Sequence, residues 1–335
     1  MSTVLVVGAA SRQAQLVTAR LAQLPWVERL VAIDVTRAPR SFPALEVHAL
    51  GPAAPGAADQ LAALGEGARA VVALAWGRPS QWRPAMGNLL AAASSIRPEQ
   101  LVHLSSAAVY GAWPDNPVPL TEAAPVRPNP RSAFAMDMRA AELMAQQWAE
   151  RSPSTRLALL RAATTLGADR VLPAVLALAR RSPVAPGDER LVQFLHAEDL
   201  ASAVAHVCDR GLQGVFNVAP DEGTAEGTAA ALRGRGPLLR AGAARLPSLL
   251  TGRDGSWGPG SKPYVEHTWV VSADKLRSTG WVPEYSSEQA LVVTDQRQHW
   301  DDLPQAKRVA LTLGAAGSTL VALGAGGAVW WRHRG

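Results

Sequence analysis

Apolar residues fall in short runs spaced along the first half of the chain. Val4–Val7 ends at Gly8, Leu30–Ile33 ends at Asp34, and a weaker run covers Leu45–His48. Ala70–Leu74, Leu101–Leu104 and Arg156–Leu160 continue the series. Between them, Gln13–Leu24, Pro84–Ser95 and Phe134–Glu150 carry apolar residues at helical spacing. A strand that is apolar at successive positions has both faces covered, and helices alternating with such strands cover them. The pattern predicts an α/β fold built on a doubly wound parallel sheet.

Beyond Gly167 the rhythm changes. A helix is expected over 171–181, a short strand over Gln193–Leu195, a helix over Asp199–Cys208 and a strand over Val215–Val218. Residues 220–265 are rich in Gly, Arg and Pro and show no clear period, while Val271–Gly280 reads as a short strand and helix. No internal repeat is visible. Residues 1–165 are therefore expected to form a nucleotide-binding domain, and 166–300 a smaller C-terminal lobe that encloses a substrate.

The tail is of another kind. Val309–Trp331 holds no charge and is flanked by Lys307 and Arg308 on one side and Arg332, His333 and Arg334 on the other. At 1.5 Å per residue it spans roughly 35 Å as a helix, enough to cross a bilayer. Trp330 and Trp331 suit the interface, where an indole keeps its N–H in water. With 301–308 as a linker, 309–331 is expected to be a transmembrane helix that anchors a cytoplasmic domain. An Ala/Gly-rich helix docked on the large domain is the plainer alternative. Only four leucines and three valines lie in the segment, so its drive to insert is modest.

Composition narrows the partners. The formal charge is +5, but the arginines are scattered and no basic run is interleaved with aromatics, so nucleic acid is not expected. Cys208 is the single cysteine, which rules out an internal disulfide and fits a reducing compartment. The first residues carry no basic segment, apolar core and cleavage site, so no secretory signal is expected. The sequence leaves a homodimer open.

Val4-Leu-Val-Val-Gly-Ala-Ala-Ser-Arg-Gln-Ala14 stands where a strand, a glycine turn and a helix start would cradle a pyrophosphate. Only Gly8 is kept; Ser11 and Ala14 occupy the later glycine positions. Ala14 is tolerable because that position governs helix–strand packing, whereas the Ser11 Cβ sits where a phosphate approaches. Asp34, closing the second strand, is placed to accept hydrogen bonds from an adenosine ribose and to repel a 2′-phosphate. Arg12 could instead meet that phosphate. The expected cofactor is a nicotinamide dinucleotide, NAD in preference to NADP, held by Gly8, Ser11, Arg12, Asp34 and Ala75.

Leu101-Val-His-Leu-Ser-Ser-Ala-Ala-Val-Tyr-Gly111 carries a more specific signal. It resembles the strand-end pattern of the extended short-chain dehydrogenase/reductases, the NAD-dependent epimerase/dehydratase family, whose nucleotide domain is a Rossmann fold. Leu160–Gly167, Gln193–Leu200, Gly214–Val218 and Ser272–Pro283 resemble further family motifs in the family's order, so the likeness spans roughly 3–295. It implies a dinucleotide site, a nucleotide-sugar or lipid-like small molecule as substrate, and a serine at position 106 that contacts the reacting oxygen. It also implies a Tyr and a Lys four residues apart on the next helix. Hydride transfer needs that phenol to take the hydroxyl proton, and the ammonium to lower its pKa.

Phe134 and Met138 stand at those two positions. A phenyl ring carries no exchangeable proton, and a thioether has no charge. Asp137 and Arg139 are neighbours, but adjacent helical positions point about 100° apart. Ser106 has a plainer reading as a strand-end hydroxyl that caps a local amide. His196 and Asp199 have the spacing of a metal pair; the expectation is a structural loop with Asp199 as a helix cap and no metal. Trp76, after the fourth strand, reads as buried, with narrowing of the nicotinamide pocket as a second reading.

Three functions compete. The first is a membrane-anchored dinucleotide-binding protein without standard oxidoreductase chemistry, acting as a sensor or regulator. The second is an epimerase, dehydratase or dehydrogenase whose proton passes through Ser106, Asp137 or a residue of the second lobe. The third is a membrane interaction module that binds no dinucleotide.

Overall fold

The computed structural model describes residues 2–34, 45–74, 81–166, 190–226, 228–229, 260 and 262–301. The strands are β1 (Thr3–Val7), β2 (Arg29–Asp34), β3 (Leu45–Ala49), β4 (Ala68–Ala73), β5 (Gln100–Ser106) and β6 (Arg156–Ala162), with β7 (Thr164–Leu166), β8 (Leu191–Val192), β9 (Phe194–His196), β10 (Gly214–Val218) and β11 (Thr224–Ala225) following. The helices used below are α1 (Arg12–Leu21), α2 (Ala57–Leu64), α3 (Trp82–Ile96), α4 (Ala133–Glu150) and α5 (Ala197–Arg210).

Seven strands form one sheet in the order β10-β6-β5-β4-β1-β2-β3. Every pairing in it is parallel. From β1 the chain winds outward through β2 and β3, then returns to β4 and winds the other way. The order therefore reverses between β1 and β4, the place where an open α/β sheet leaves a crevice at its carboxyl edge. Expectation and structure agree on the doubly wound sheet.

Alternate residues of the strands feed two cores. Val4, Val6, Leu30, Val72 and Val102 join Val17 and Leu21 of α1 and Leu200 and Val204 of α5. Leu5, Val7, Val31, Ile33 and Leu101 join Leu61 of α2, Met86 and Leu89 of α3, and Ala141 and Ala145 of α4. All five residues of β1 are buried, as both-face coverage requires.

β10, from the segment expected as the smaller C-terminal lobe, extends this sheet beside β6. The remaining short strands pair as a parallel β7–β9 ladder and an antiparallel β8–β11 ladder. The chain divides into two compact units, Met1–Val292 and Val293–Gly335. The helix expected over 171–181 and the membrane helix over 309–331 lie outside the described residues, as do Ala75 and Trp76. Among the described residues no helix is long and apolar enough to cross a membrane.

Candidate functional site

The turn after β1 is tied down by its own backbone. Gly8 has φ 91°, the left-handed region that glycine enters without strain. The Gly8 and Ala9 amides both donate to the Ile33 carbonyl, at 2.8 and 3.2 Å. The Ala10 amide donates to Asp34 Oδ2 at 2.9 Å, so the acid that closes β2 also shapes the turn. Ser11 caps α1, its hydroxyl accepting from the Ala14 amide at 3.1 Å. Gln15 Nε2 donates to the Ala10 carbonyl at 2.9 Å.

These bonds put the amino end of α1, which has no acidic residue in its first turn, beside the carboxyl end of β1. First-turn amides and the positive end of the helix dipole make such a place suited to a pyrophosphate. The Ser11 hydroxyl turns inward onto its own helix, which leaves the first two α1 amides, those of Arg12 and Gln13, outside the cap bond. Asp34 is nearly buried at the neighbouring strand end, where a ribose would lie. The Leu74 amide bonds the Val7 carbonyl at 2.9 Å, so β4 ends level with this turn, and Ala75 follows outside the described residues.

Ser106 ends β5 and caps the 3-10 turn Ala107–Tyr110, accepting from the Ala108 amide at 3.2 Å. Below it lies a buried polar network. The Ser105 hydroxyl donates to Glu142 Oε1 at 2.6 Å, and Arg161 reaches Glu142 with Nε at 3.0 Å and Nη2 at 2.8 Å. The Arg161 guanidinium lies 4.8 Å from the Tyr110 ring centre. The Tyr110 hydroxyl donates to Asn217 Oδ1 at 2.8 Å, and the Asn217 amide donates to Glu122 Oε1 at 2.7 Å. The chain of contacts joins β5, β6, α4 and β10 beneath the site.

α4 starts at Ser132, whose hydroxyl accepts from the Ala135 amide at 3.3 Å. Phe134 is half-buried and packs edge-on against Trp82, with ring centres 6.3 Å apart. Met138 is buried in the core cluster that also holds Leu74, Leu104 and Tyr110. The position expected to carry an ammonium has become part of the hydrophobic interior. Asp137 lies 3.7 Å from Arg83 and is half-buried; desolvation pushes its carboxyl above the usual range, and Arg83 opposes the shift.

Neither tyrosine that packs beneath these residues replaces the missing phenol. Tyr110 is buried and its pKa is raised, chiefly by desolvation. Tyr264 packs with Ala108, Ala112 and Ala135, against Phe134, and donates to the Ala108 carbonyl at 2.7 Å. Burial pushes its hydroxyl up to about 12. Both hydroxyls are turned into the fold, one donating to Asn217 and the other to the Ala108 carbonyl. Tyr285 stacks on His196 with ring centres 4.1 Å apart.

His196, not Asp199, caps α5, its Nδ1 accepting from the Glu198 amide at 3.3 Å. The expectation that Asp199 caps the helix is corrected. Asp199 sits inside the first turn and accepts from the Glu284 and Tyr285 amides at 2.7 and 3.1 Å, fastening the C-terminal segment to α5. Among the described residues no group of three His, Cys, Asp or Glu could hold a metal. Glu142 and Arg161 were not among the residues the sequence singled out, and Tyr264, expected in the second lobe, packs against Phe134 and Ala135. A charged residue in the apolar stretch Leu157–Ala162 was the one available sign of the first two.

A doubly wound parallel sheet whose glycine turn and acidic strand end meet at the switch point defines a dinucleotide-binding fold of the Rossmann class. Residues 84–219 match the model of the NAD dependent epimerase/dehydratase family, which covers Ser106, Phe134 and Met138. No curated protein matches the chain. Among solved structures, a double mutant of the dTDP-glucose 4,6-dehydratase DesIV from Streptomyces venezuelae, with NAD and DAU bound, is 20% identical over 88% of this chain and 95% of its own, at a TM-score of 0.65. A dTDP-glucose 4,6-dehydratase from Bacillus anthracis in complex with NAD is 16% identical, covering 90% and 98%, at 0.67. The UDP-glucose 4-epimerase of Thermus thermophilus, also in complex with NAD, is 19% identical, covering 88% and 98%, at 0.65.

Proposed function

We propose that this protein binds NAD at the crevice between β1 and β4 and uses it as a signal rather than as a hydride carrier. The observation that carries the reading is the pair Phe134 and Met138, which puts a phenyl ring and a buried thioether where a proton acceptor and its cation would stand. When bound, NAD would supply hydride chemistry. The residues of this chain that would hold it are the first α1 amides, toward the pyrophosphate, and Asp34, toward the ribose. Asp34 also favours NAD over NADP, because a 2′-phosphate would meet a carboxylate already fixed by Ala10. The NAD in the similar dehydratases and epimerase supports the choice of cofactor.

The regulatory role includes a membrane anchor at 309–331, carried by the uncharged run alone. A homodimer has support in Met136 and Leu143, two exposed apolar residues seven apart on α4. The test is a titration of the full chain with NADH and NADPH, followed by assay with UDP-glucose and dTDP-glucose. NADH binding without turnover is the expected result. Turnover at ordinary rates overturns the signal reading, and failure of both dinucleotides to bind leaves the interaction module.

A second reading gives the proton to Asp137, favoured by its raised pKa and low exposure one position from Met138. Under that reading Asp137→Asn abolishes a turnover that the unaltered chain displays.

A further inference from the structure

α3 and α4 pack against each other and end at the amino edge of the sheet, where β5 and β6 begin, opposite the dinucleotide crevice. Between them opens a pocket of about 680 Å³. That is within the roughly 300–1,000 Å³ of small-molecule sites. Its lining changes along the helices. Gly87, Leu90, Ala93 and Met144 make an apolar wall. A Cβ on Gly87 would stand 3.7 Å from the Met144 methyl carbon, so the missing side chain keeps this end open. Toward the helix ends the lining turns polar, with Gln147, Ser152, Arg97 and Arg151. The Ser94 hydroxyl is already spent, donating to the Leu90 carbonyl and accepting from Trp148 Nε1, both at 2.9 Å.

Arg97 and Arg151 are exposed, and among the described residues neither makes an ion pair. Nearby acids do not cancel them. Glu99 faces Arg69 and Arg156, and Glu150 is exposed and outside the lining. Each helix end carries about half a negative charge, so roughly one unit of positive charge remains at this end of the pocket. That suits a carboxylate better than a doubly charged phosphate. An uncharged apolar molecule would leave the guanidinium groups unmatched, and a small anion would leave the apolar wall bare. Ten residues of helix separate Gly87 from Arg97, roughly 15 Å, which is the reach of a medium-chain fatty acid. We propose that this groove binds a free medium-chain fatty acid, its carboxylate at Arg97 and Arg151 and its chain along Gly87, Leu90 and Met144. The site lies apart from the dinucleotide crevice and does not depend on the NAD reading.

The test is calorimetry of the full chain with decanoate, 1-decanol and acetate, at concentrations where decanoate forms no micelles. Decanoate binds at one site, and decanol and acetate bind at least roughly tenfold more weakly. Arg97→Gln combined with Arg151→Gln weakens decanoate by roughly tenfold or more and leaves decanol unchanged. Gly87→Leu fills the apolar end with a better helix former, so it weakens decanoate while the melting temperature holds. The proposal is overturned if decanoate gives no heat, if decanol binds as tightly, or if either variant leaves decanoate affinity unchanged. Two other occupants would also overturn it. Binding to phosphatidylglycerol vesicles that needs both arginines, without decanoate binding, assigns the face to a membrane. A dimer that Gly87→Leu dissociates, without decanoate binding, assigns it to a second copy of the chain.

Discussion

Arg161 grips both carboxylate oxygens of Glu142, and the two side chains are 3% and 0% exposed. The pair joins β6 to α4, and Ser105 adds β5 through its hydroxyl. Ser106 and the first turn of α4 are thereby held above one charged, hydrogen-bonded support.

Breaking that support from one side strands the other charge. Glu142→Gln or Arg161→Met should each cost about 3–5 kcal/mol, whereas replacing both with apolar residues of similar volume should cost far less. Urea denaturation of the three variants measures the difference. Equal losses in single and double variants would contradict the role assigned to the pair.

His103 gives the protein a pH dependence of known sign. It is fully buried on β5, facing Ala73 of β4 in register, and burial lowers its pKa from 6.5 to about 4 although the Glu142 charge acts the other way. The folded state therefore keeps a neutral ring where the unfolded chain takes up a proton. Stability from this group is full above pH 6.5 and is lost as pH falls toward 4, by about 3 kcal/mol in all. His103→Leu should flatten the melting temperature between those limits, and an unchanged slope would count against it.

Installing the ordinary residues should not be neutral. Met138→Lys places an ammonium in a core position that is 1% exposed, at a cost of roughly 2–4 kcal/mol. Phe134→Tyr, half-buried beside Trp82, should cost under about 1 kcal/mol. Thermal unfolding separates the two. Activity restored in the double variant without loss of stability would mean that the Met138 pocket accepts a charge.

Asp34→Ala removes both the partner of the Ala10 amide and the expected ribose acceptor. NADH affinity should fall by roughly tenfold or more, and discrimination against NADPH should shrink. Fluorescence titration with both dinucleotides reads the two effects, and unchanged NADH binding would move the ribose elsewhere.

How much was visible beforehand differs by element. The inner strands of the sheet could be read because both-face burial makes each an apolar run, whereas β3 at the edge exposes Glu46 and shows only a weaker one. α2 could not, since Ala57–Leu64 carries so many alanines that its faces hardly differ. Asp199 shows the same limit: its position suggested a cap, but its partners are the amides of Glu284 and Tyr285, which local spacing does not reveal.

The amino-acid sequence by itself determined the α/β winding, the glycine turn with Asp34, and the absence of Tyr and Lys at 134 and 138, because periodicity and residue chemistry are local properties. Only the tertiary structure decided that Met138 is core, that Tyr264 is spent on the Ala108 carbonyl, and that Arg161 meets Glu142. Those outcomes depend on which distant side chains meet and how much water is left between them.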